Sequence, residues 1–279
     1  MDLISILIAL ALDQTDLRHT SKRLLSTLAD YLCGGWGMPG LIAVISVVFL
    51  GHALLRTLSP VLEGVFNTII LVICVGMGEL MTGVGEYLMM RSHDDEEGAR
   101  HVASALVERD VYSSGVRLTR EVLAGVLVEG HARTVGVLFW YLILGPAGAL
   151  LAALSRRIAL PTCTTKGHAL PMAGTLYWGL DWLPARLSAL SYGLAGSLTH
   201  AISNWRARTE GWNDPNTVVL VTSGTGALLL ETETSGDPLA KATPEDQNAA
   251  VESALALVMR ALAVWVTAVA LVTLGGWLK

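Results

Sequence analysis

The feature that most constrains this chain is a series of long stretches without a charged side chain. These uncharged runs cover residues 31–55, 64–78, 134–155, 187–205 and 261–278. A helix needs roughly 20 mainly apolar residues to cross a bilayer, so the short 64–78 run must extend across a flanking glutamate. Charged residues make up 15% of the chain, against about 25% in soluble domains. We therefore expect an all-α, polytopic membrane protein with about five spanning or half-spanning helices, forming a single membrane domain over residues 1–279.

Charge and cysteine content exclude several classes of protein. The formal net charge is −5, and no stripe of basic residues alternates with aromatic ones, so no nucleic-acid partner is expected. The three cysteines, Cys33, Cys74 and Cys163, lie far apart and form no CxxC pair. They predict neither a disulfide framework nor a zinc site. Membrane lipid is the partner that the composition does imply.

The distribution of basic residues predicts an orientation in the membrane. Residues 13–30 and 91–120 are rich in arginine and lysine, and a hairpin of two spans, about 38–58 and 61–83, connects them. The positive-inside rule places both basic segments in the cytoplasm. The sequence therefore predicts a multi-pass protein of the bacterial inner membrane, with a cytoplasmic helical segment over residues 84–133.

Two regions do not fit simple spans. A single crossing by residues 134–155 would put Arg156 and Arg157 outside, and Gly145–Pro146 lies near the middle of that run. Because irregular backbone at membrane depth is tolerated where protein or a water-filled cavity covers it, we expect a broken or re-entrant segment. Residues 231–250 are polar, acidic and free of aromatic residues, which is typical of a flexible loop.

A ladder of charged residues carries the first candidate site. Arg117, Glu121, Glu129 and Arg133 are spaced in steps of four around a central Gly125, and residues four apart share a helix face. One interpretation is two ion pairs, Arg117–Glu121 and Glu129–Arg133, on a helix at the membrane surface. The other is that the ladder lines a polar cavity, because ionisable residues near membrane segments usually face a bundle interior or a water-filled path.

Two acids on another predicted helix form a candidate metal site. Glu79 and Glu86 are seven residues apart and share a face at the end of a span. Hard cations take carboxylate oxygens as ligands, so a divalent cation is one interpretation. Surface carboxylates without a metal are the alternative, since no third acid or histidine has suitable spacing.

A second ligand site is predicted at "LDWLPARL", residues 180–187. If a helix begins at Trp182, Asp181 is its N-cap and Pro184 lies in the first turn, where its missing N–H costs nothing. Arg186 then lies beside the free N–H groups of the helix start, which suits a phosphate or carboxylate. The alternative is that Asp181 only caps the helix and Arg186 reaches to lipid headgroups. The run 187–205 would continue this helix as a span.

These residues resemble a known family. "LFWYLILGPAGALL" (138–151) followed by "LDWLPARLSALSYGLAG" (180–196) is similar to the AmpE proteins, inner-membrane proteins of the β-lactamase induction locus. AmpE proteins are in turn related to the CobD/CbiB adenosylcobinamide-phosphate synthases. The stretch "DPN", which contains Asn216, and Glu129 match the synthase branch, whereas Gly130 and Val137 depart from its Asn and Pro.

The resemblance implies two alternative functions. An AmpE-like protein would be a regulatory or signalling protein of the β-lactam or cell-wall response, without a cofactor. It would bind an anionic ligand in a cytoplasmic cleft between the ladder helix and the helix start at Asp181–Arg186. A CobD-like protein would be an enzyme that joins an aminoalcohol phosphate to cobyric acid with ATP and magnesium. The sequence leaves open whether any reaction is catalysed.

Overall fold

The fold is built from helices. The computed structural model describes residues 2–12, 18–33, 37–160, 171–207, 214–230 and 238–274. Within these residues the regular structure is helical and no strand occurs, which confirms the all-α prediction. The helices in chain order are α1 (Asp2–Leu12), α2 (Arg18–Tyr31), α3 (Gly37–Leu58), α4 (Pro60–Cys74), α5 (Met77–Ser92), α6 (Glu96–Val107), α7 (Gly115–Arg133), α8 (Val135–Leu144), α9 (Pro146–Ala159), α10 (Pro171–Ala195), α11 (Leu198–Ala207), α12 (Pro215–Ala227), α13 (Pro238–Lys241) and α14 (Pro244–Leu274).

Several of these helices are long and apolar enough to cross a membrane. In the described part of the chain there are four such stretches, Gly37–Leu58, Pro60–Ser92, Gly115–Leu144 and Pro244–Thr273. They confirm the polytopic membrane protein. The first two match the predicted hairpin, because α3 and α4 contact one another and meet at Ser59–Pro60.

The chain divides into two compact units. Unit 1 comprises Met1–Gly78 and Ala132–Asp181, and unit 2 comprises Glu79–His131 and Trp182–Lys279. In unit 1, α4 packs against α1, α2, α3 and α9. In unit 2, α12 packs against α11 and α14.

The break predicted within residues 134–155 is confirmed. Helix α8 ends at Leu144, and α9 starts at Pro146, where the absent N–H of proline leaves no donor unsatisfied. Gly145 joins them with φ +64° and ψ −152°, a combination that is essentially restricted to glycine. The two helices then pack closely, since a Cβ at Gly148 would overlap the carbonyl oxygen of Trp140.

The prediction that Asp181 is an N-cap is wrong, because α10 begins at Pro171 and runs through Asp181 and Pro184. Proline inside a helix cannot donate to the carbonyl four residues earlier, which here belongs to Leu180. The indole Nε1 of Trp140 donates to that carbonyl oxygen at 3.1 Å. The tryptophan supplies the hydrogen bond that the proline removes, so the helix continues where the sequence predicted a start.

Two further boundaries differ from the sequence predictions. The run 187–205 is not one continuous span, because α10 ends at Ala195 and α11 begins at Leu198. Residues 244–250 of the predicted 231–250 loop are helical and form the start of α14. Thr243 and Asp246 explain this start, because each donates a backbone N–H to the other's side chain, as in a capping box. Residues 231–237 lie outside the described part of the chain.

The cysteines also differ from expectation. Cys33 is disulfide-bonded, although the sequence predicted no disulfide. Cys74 is a free, buried thiol at the end of α4. Cys163 lies outside the described residues.

Replacement of Gly145 by alanine tests the break between α8 and α9. We expect Gly145→Ala to cost about 1–3 kcal/mol, because a Cβ is strained in this backbone conformation. The measurement is thermal unfolding of the protein in detergent. Gly51→Ala in α3 is the matched control, since nothing lies within 4 Å of the added Cβ and alanine favours a helix. Equal melting temperatures for the two variants would contradict the assignment.

Candidate ligand-binding cavity

A cavity of about 440 Å³ lies within unit 2. Helices α7 and α12 form its two long walls, and the end of α6 with the following loop contributes Val107 and Arg109. Leu230 and Leu239 complete the lining. The walls are mainly aliphatic, with a small number of charged and hydroxyl side chains, which is the usual composition of a small-molecule site.

The middle of the predicted ladder on α7 lines this cavity. Glu121, Gly125 and Glu129 all face it, as expected for residues at steps of four along one helix face. Their exposure changes along the helix, because Glu121 is half-buried whereas Glu129 is only 6% exposed. The cavity therefore extends from a solvent-accessible end to a buried carboxylate.

The ends of the ladder lie outside the cavity lining. Arg117 is exposed, and among the described side chains it forms no ion pair with Glu121. Arg133 is buried in unit 1, with its side chain against Gly76. The surface-ladder interpretation of Arg117–Glu121 is therefore not what the structure shows.

Two arginines that the sequence analysis did not select lie at the accessible end. Arg109 and Arg120 are both exposed and both line the cavity. Arg109 follows Glu108, the left-handed C-cap residue that ends α6. Arg120 precedes the ladder residue Glu121, so a search for strict four-residue steps omits it. Guanidinium groups at a cavity entrance can bind a carboxylate or phosphate.

Capping residues determine where helix α12 begins. Asp214 accepts from the backbone N–H of Asn216 at 3.0 Å and from the hydroxyl of Thr217 at 2.6 Å. Pro215 then occupies the first turn, where its missing N–H is tolerated. Thr217 belongs to the lining, as do Thr222 and Thr225. The hydroxyls of the last two donate to carbonyls of their own helix, which leaves their oxygens as acceptors.

The glycines near the end of α12 serve close packing. A Cβ on Gly224 would lie 2.5 Å from Leu127 of α7, and one on Gly226 would lie 2.6 Å from the backbone oxygen of His200 in α11. Both distances are too short for a side chain. Gly224 thus brings the two cavity walls together, which agrees with small residues at contacts between membrane helices.

Arg186 and Asn216 interact with one another. The guanidinium of Arg186 donates to Asn216 Oδ1 at 3.0 Å and to the carbonyl of Trp182 at 2.7 Å, and it stacks over the Trp182 ring. Neither Arg186 nor Asn216 is a lining residue of the cavity. Asn216 precedes Thr217, so this contact fixes the start of the α12 wall. Asp181 is buried in unit 1, and the predicted helix-start site at Asp181–Arg186 does not form.

Glu79 and Glu86, the candidate metal ligands, both lie on α5. Glu79 is half-buried and Glu86 exposed on α5. In the described part of the chain, no group of three or more histidine, cysteine, aspartate or glutamate residues could hold a metal ion. A metal at Glu79 and Glu86 stays a prediction.

One protein-family model covers most of the chain. The family model described as "Regulatory signalling modulator protein AmpE" matches residues 19–279. This chain belongs to the AmpE family. Membership confirms the resemblance of residues 138–151 and 180–196 to AmpE proteins.

Curated relatives of this AmpE-family chain are cobalamin proteins. "Cobalamin biosynthesis protein CobD" of Stutzerimonas stutzeri is 27% identical over 267 residues, which cover 88% of this chain and 84% of that protein. The CobD protein of Chromobacterium violaceum is 28% identical over 173 residues, or 61% of this chain and 55% of that protein. No solved structure matches the chain. These matches agree with the wider relationship between AmpE and CobD.

Removal of the Asp214 cap tests how the α12 wall is held. We expect Asp214→Ala to destabilise the first turn of α12 by about 1 kcal/mol, because two donors lose their acceptor. Amide hydrogen exchange at Val218 and Val219 measures this directly, and it should become faster. Ser59→Ala is the matched control, since Ser59 caps α4 without a side-chain hydrogen bond. Exchange in α12 that is unaffected by Asp214→Ala would refute the capping role.

Proposed function

We propose that this protein is a regulatory protein of the bacterial inner membrane that binds a small anionic ligand and acts in the β-lactam or cell-wall response. Membership of the AmpE family supports a regulatory role. The observation that carries ligand binding is the cavity of about 440 Å³ with Arg109 and Arg120 at its accessible end. The positive-inside rule supports a cytoplasmic entrance, because both arginines belong to the basic segment 91–120.

Each lining group has a role in this proposal. Arg109 and Arg120 bind the anionic group by charge-assisted hydrogen bonds, and Thr217 forms part of the opposite wall. The aliphatic side chains bury the apolar part of the ligand. Arg186 acts at a distance, through Asn216, by keeping the start of α12 in place.

A CobD-like synthase is the second candidate function. The match that covers 84% of the Stutzerimonas stutzeri CobD protein favours it. Incubation of the purified protein with cobyric acid, an aminoalcohol phosphate, ATP and magnesium tests this candidate. Formation of a condensed corrinoid would replace the regulatory proposal with an enzymatic one.

Neutralisation of the entrance arginines tests anion binding. With octanoate as the probe, we expect Arg109→Gln and Arg120→Gln each to weaken binding roughly tenfold or more, because a hydrogen bond to a charged group contributes about 1.5–3 kcal/mol. Isothermal titration calorimetry of the full chain in lipid nanodiscs measures the affinity. Arg260→Gln is the matched control, since Arg260 is an exposed arginine of α14 outside the cavity.

The proposed role in the β-lactam response is tested in cells by measuring β-lactamase activity. Bacteria that carry Arg120→Gln in place of the wild-type protein should show altered β-lactamase activity after exposure to a β-lactam, whereas Arg260→Gln should resemble wild type. Octanoate affinity that is equal in all three arginine variants would refute the cavity as the anion site. Unaltered induction together with impaired binding would refute the role in the β-lactam response.

A further inference from the structure

Two threonines of the α12 wall use their only hydroxyl hydrogen within the helix. Thr222 donates to the carbonyl oxygen of Val218 at 2.7 Å. Thr225 donates to the carbonyl oxygen of Val221 at 2.8 Å. A hydroxyl has one hydrogen and two lone pairs, and a carbonyl oxygen has no hydrogen to give. Because the hydrogens are in use, both hydroxyls can only accept a further hydrogen bond.

These hydroxyls belong to the buried part of the cavity wall. Thr222 and Thr225 both line the cavity and are only 4% and 7% exposed. They are three positions apart on the helix, so their Cβ atoms are neighbours at about 5–6 Å. Beyond the bonds within α12, the described residues form no hydrogen bond with either hydroxyl. The two oxygens therefore keep lone pairs that a ligand can use.

The other polar side chains of the lining supply no donor beside these oxygens. Thr217 donates its hydroxyl hydrogen to the Asp214 carboxylate. Arg120 and Glu129 each interact with another group of the protein. Arg109 is exposed at the accessible end, and most of the remaining lining is aliphatic. A ligand group that reaches the buried part of the α12 wall thus meets hydrogen-bond acceptors.

An acceptor in an apolar cavity selects strongly among ligand groups. Donation to a carbonyl polarises each threonine hydroxyl, which strengthens its oxygen as an acceptor. A ligand hydroxyl can donate to such an oxygen, whereas a ketone or ether brings only lone pairs and stays without a partner. A buried polar group without a partner is costly. The wall therefore favours a hydroxyl over a ketone at the same position of the ligand.

We propose that Thr222 and Thr225 accept a hydrogen bond from a hydroxyl group on the apolar part of the ligand. The ligand is then a hydroxylated aliphatic anion, with its charged group at the accessible end and its hydroxyl against the buried part of α12. This inference rests on the proposed function, because it specifies the ligand of the same cavity.

Hydroxyoctanoates are suitable probes, because they match octanoate in chain length. The 5-, 6- and 7-hydroxy isomers place the hydroxyl at successive positions along the chain, and the corresponding oxo-octanoates carry a ketone in its place. We expect one hydroxy isomer to bind about tenfold more tightly than its oxo analogue, because only the hydroxyl can donate to the threonines. Calorimetry of the full chain in lipid nanodiscs measures each affinity, with empty nanodiscs as the blank.

Replacement of the threonines by valine removes the acceptors and keeps the branched side-chain shape. In the double variant Thr222→Val and Thr225→Val, we expect affinity for the best hydroxy isomer to fall about tenfold, while octanoate binding stays within about twofold of wild type. Thr225→Ser, alone, retains a hydroxyl and should retain affinity. Thr267→Val is the matched control, because Thr267 makes the same four-residue bond, to Ala263, on an exposed face of α14 outside the cavity.

A thermal unfolding curve for each variant verifies that it is folded. If the double variant does not fold, the comparison of hydroxy with oxo isomers on the wild-type protein decides the question by itself. Equal affinity of the two series at every position would refute hydroxyl recognition.

The outcomes also separate this inference from the proposed function. If octanoate binding depends on Arg109 but the hydroxyl gives no advantage, the inference is refuted and the anion site stands. If the best hydroxy isomer keeps its affinity in the double valine variant, the assignment to Thr222 and Thr225 is refuted. If it loses affinity there but not in Arg109→Gln and Arg120→Gln, the threonine assignment stands and the anion site is refuted.

Discussion

Backbone hydrogen bonding in an apolar medium is the constraint on which this structure depends. A bilayer offers no water to an open N–H or carbonyl group, so each interruption of a helix needs a partner from elsewhere in the protein. Trp140 donates to the Leu180 carbonyl that Pro184 leaves open. The Gly76 N–H, at the break between α4 and α5, donates to the Arg133 carbonyl at the end of α7. These two hydrogen bonds satisfy backbone groups at interruptions of the helices, so the interruptions are tolerated in a membrane protein. The interruptions also divide the chain into short helices.

The same medium explains where the charges lie. In the described part of unit 2, the exposed arginines of the cavity lie at its accessible end, and the buried carboxylate lies inside a cavity rather than against lipid. An ionisable group in an apolar setting is costly without a compensating partner. Arg120 and Glu129 each interact with another group of the protein, which lowers that cost.

Family membership and the cavity contribute different kinds of information. The AmpE model covers most of the chain, and the CobD relatives extend the relationship to proteins of cobalamin biosynthesis. One fold can serve both a regulator and a synthase, so the difference between them has to come from the site.

The sequence alone determined the all-α class, the membrane location, the break at Gly145 and the ladder face of α7, because hydrophobic length, backbone preferences and the four-residue period are local properties. It did not determine that α10 continues through Pro184. The indole of Trp140 donates to the Leu180 carbonyl that Pro184 leaves without a donor, and Trp140 is 40 residues from Leu180 in sequence. Nor did it identify Arg109 or α12 as parts of the cavity, because their contact with the ladder arises from packing between helices distant in sequence. Tertiary structure decided these features, since hydrogen bonds and cavity walls form between segments that no local pattern connects.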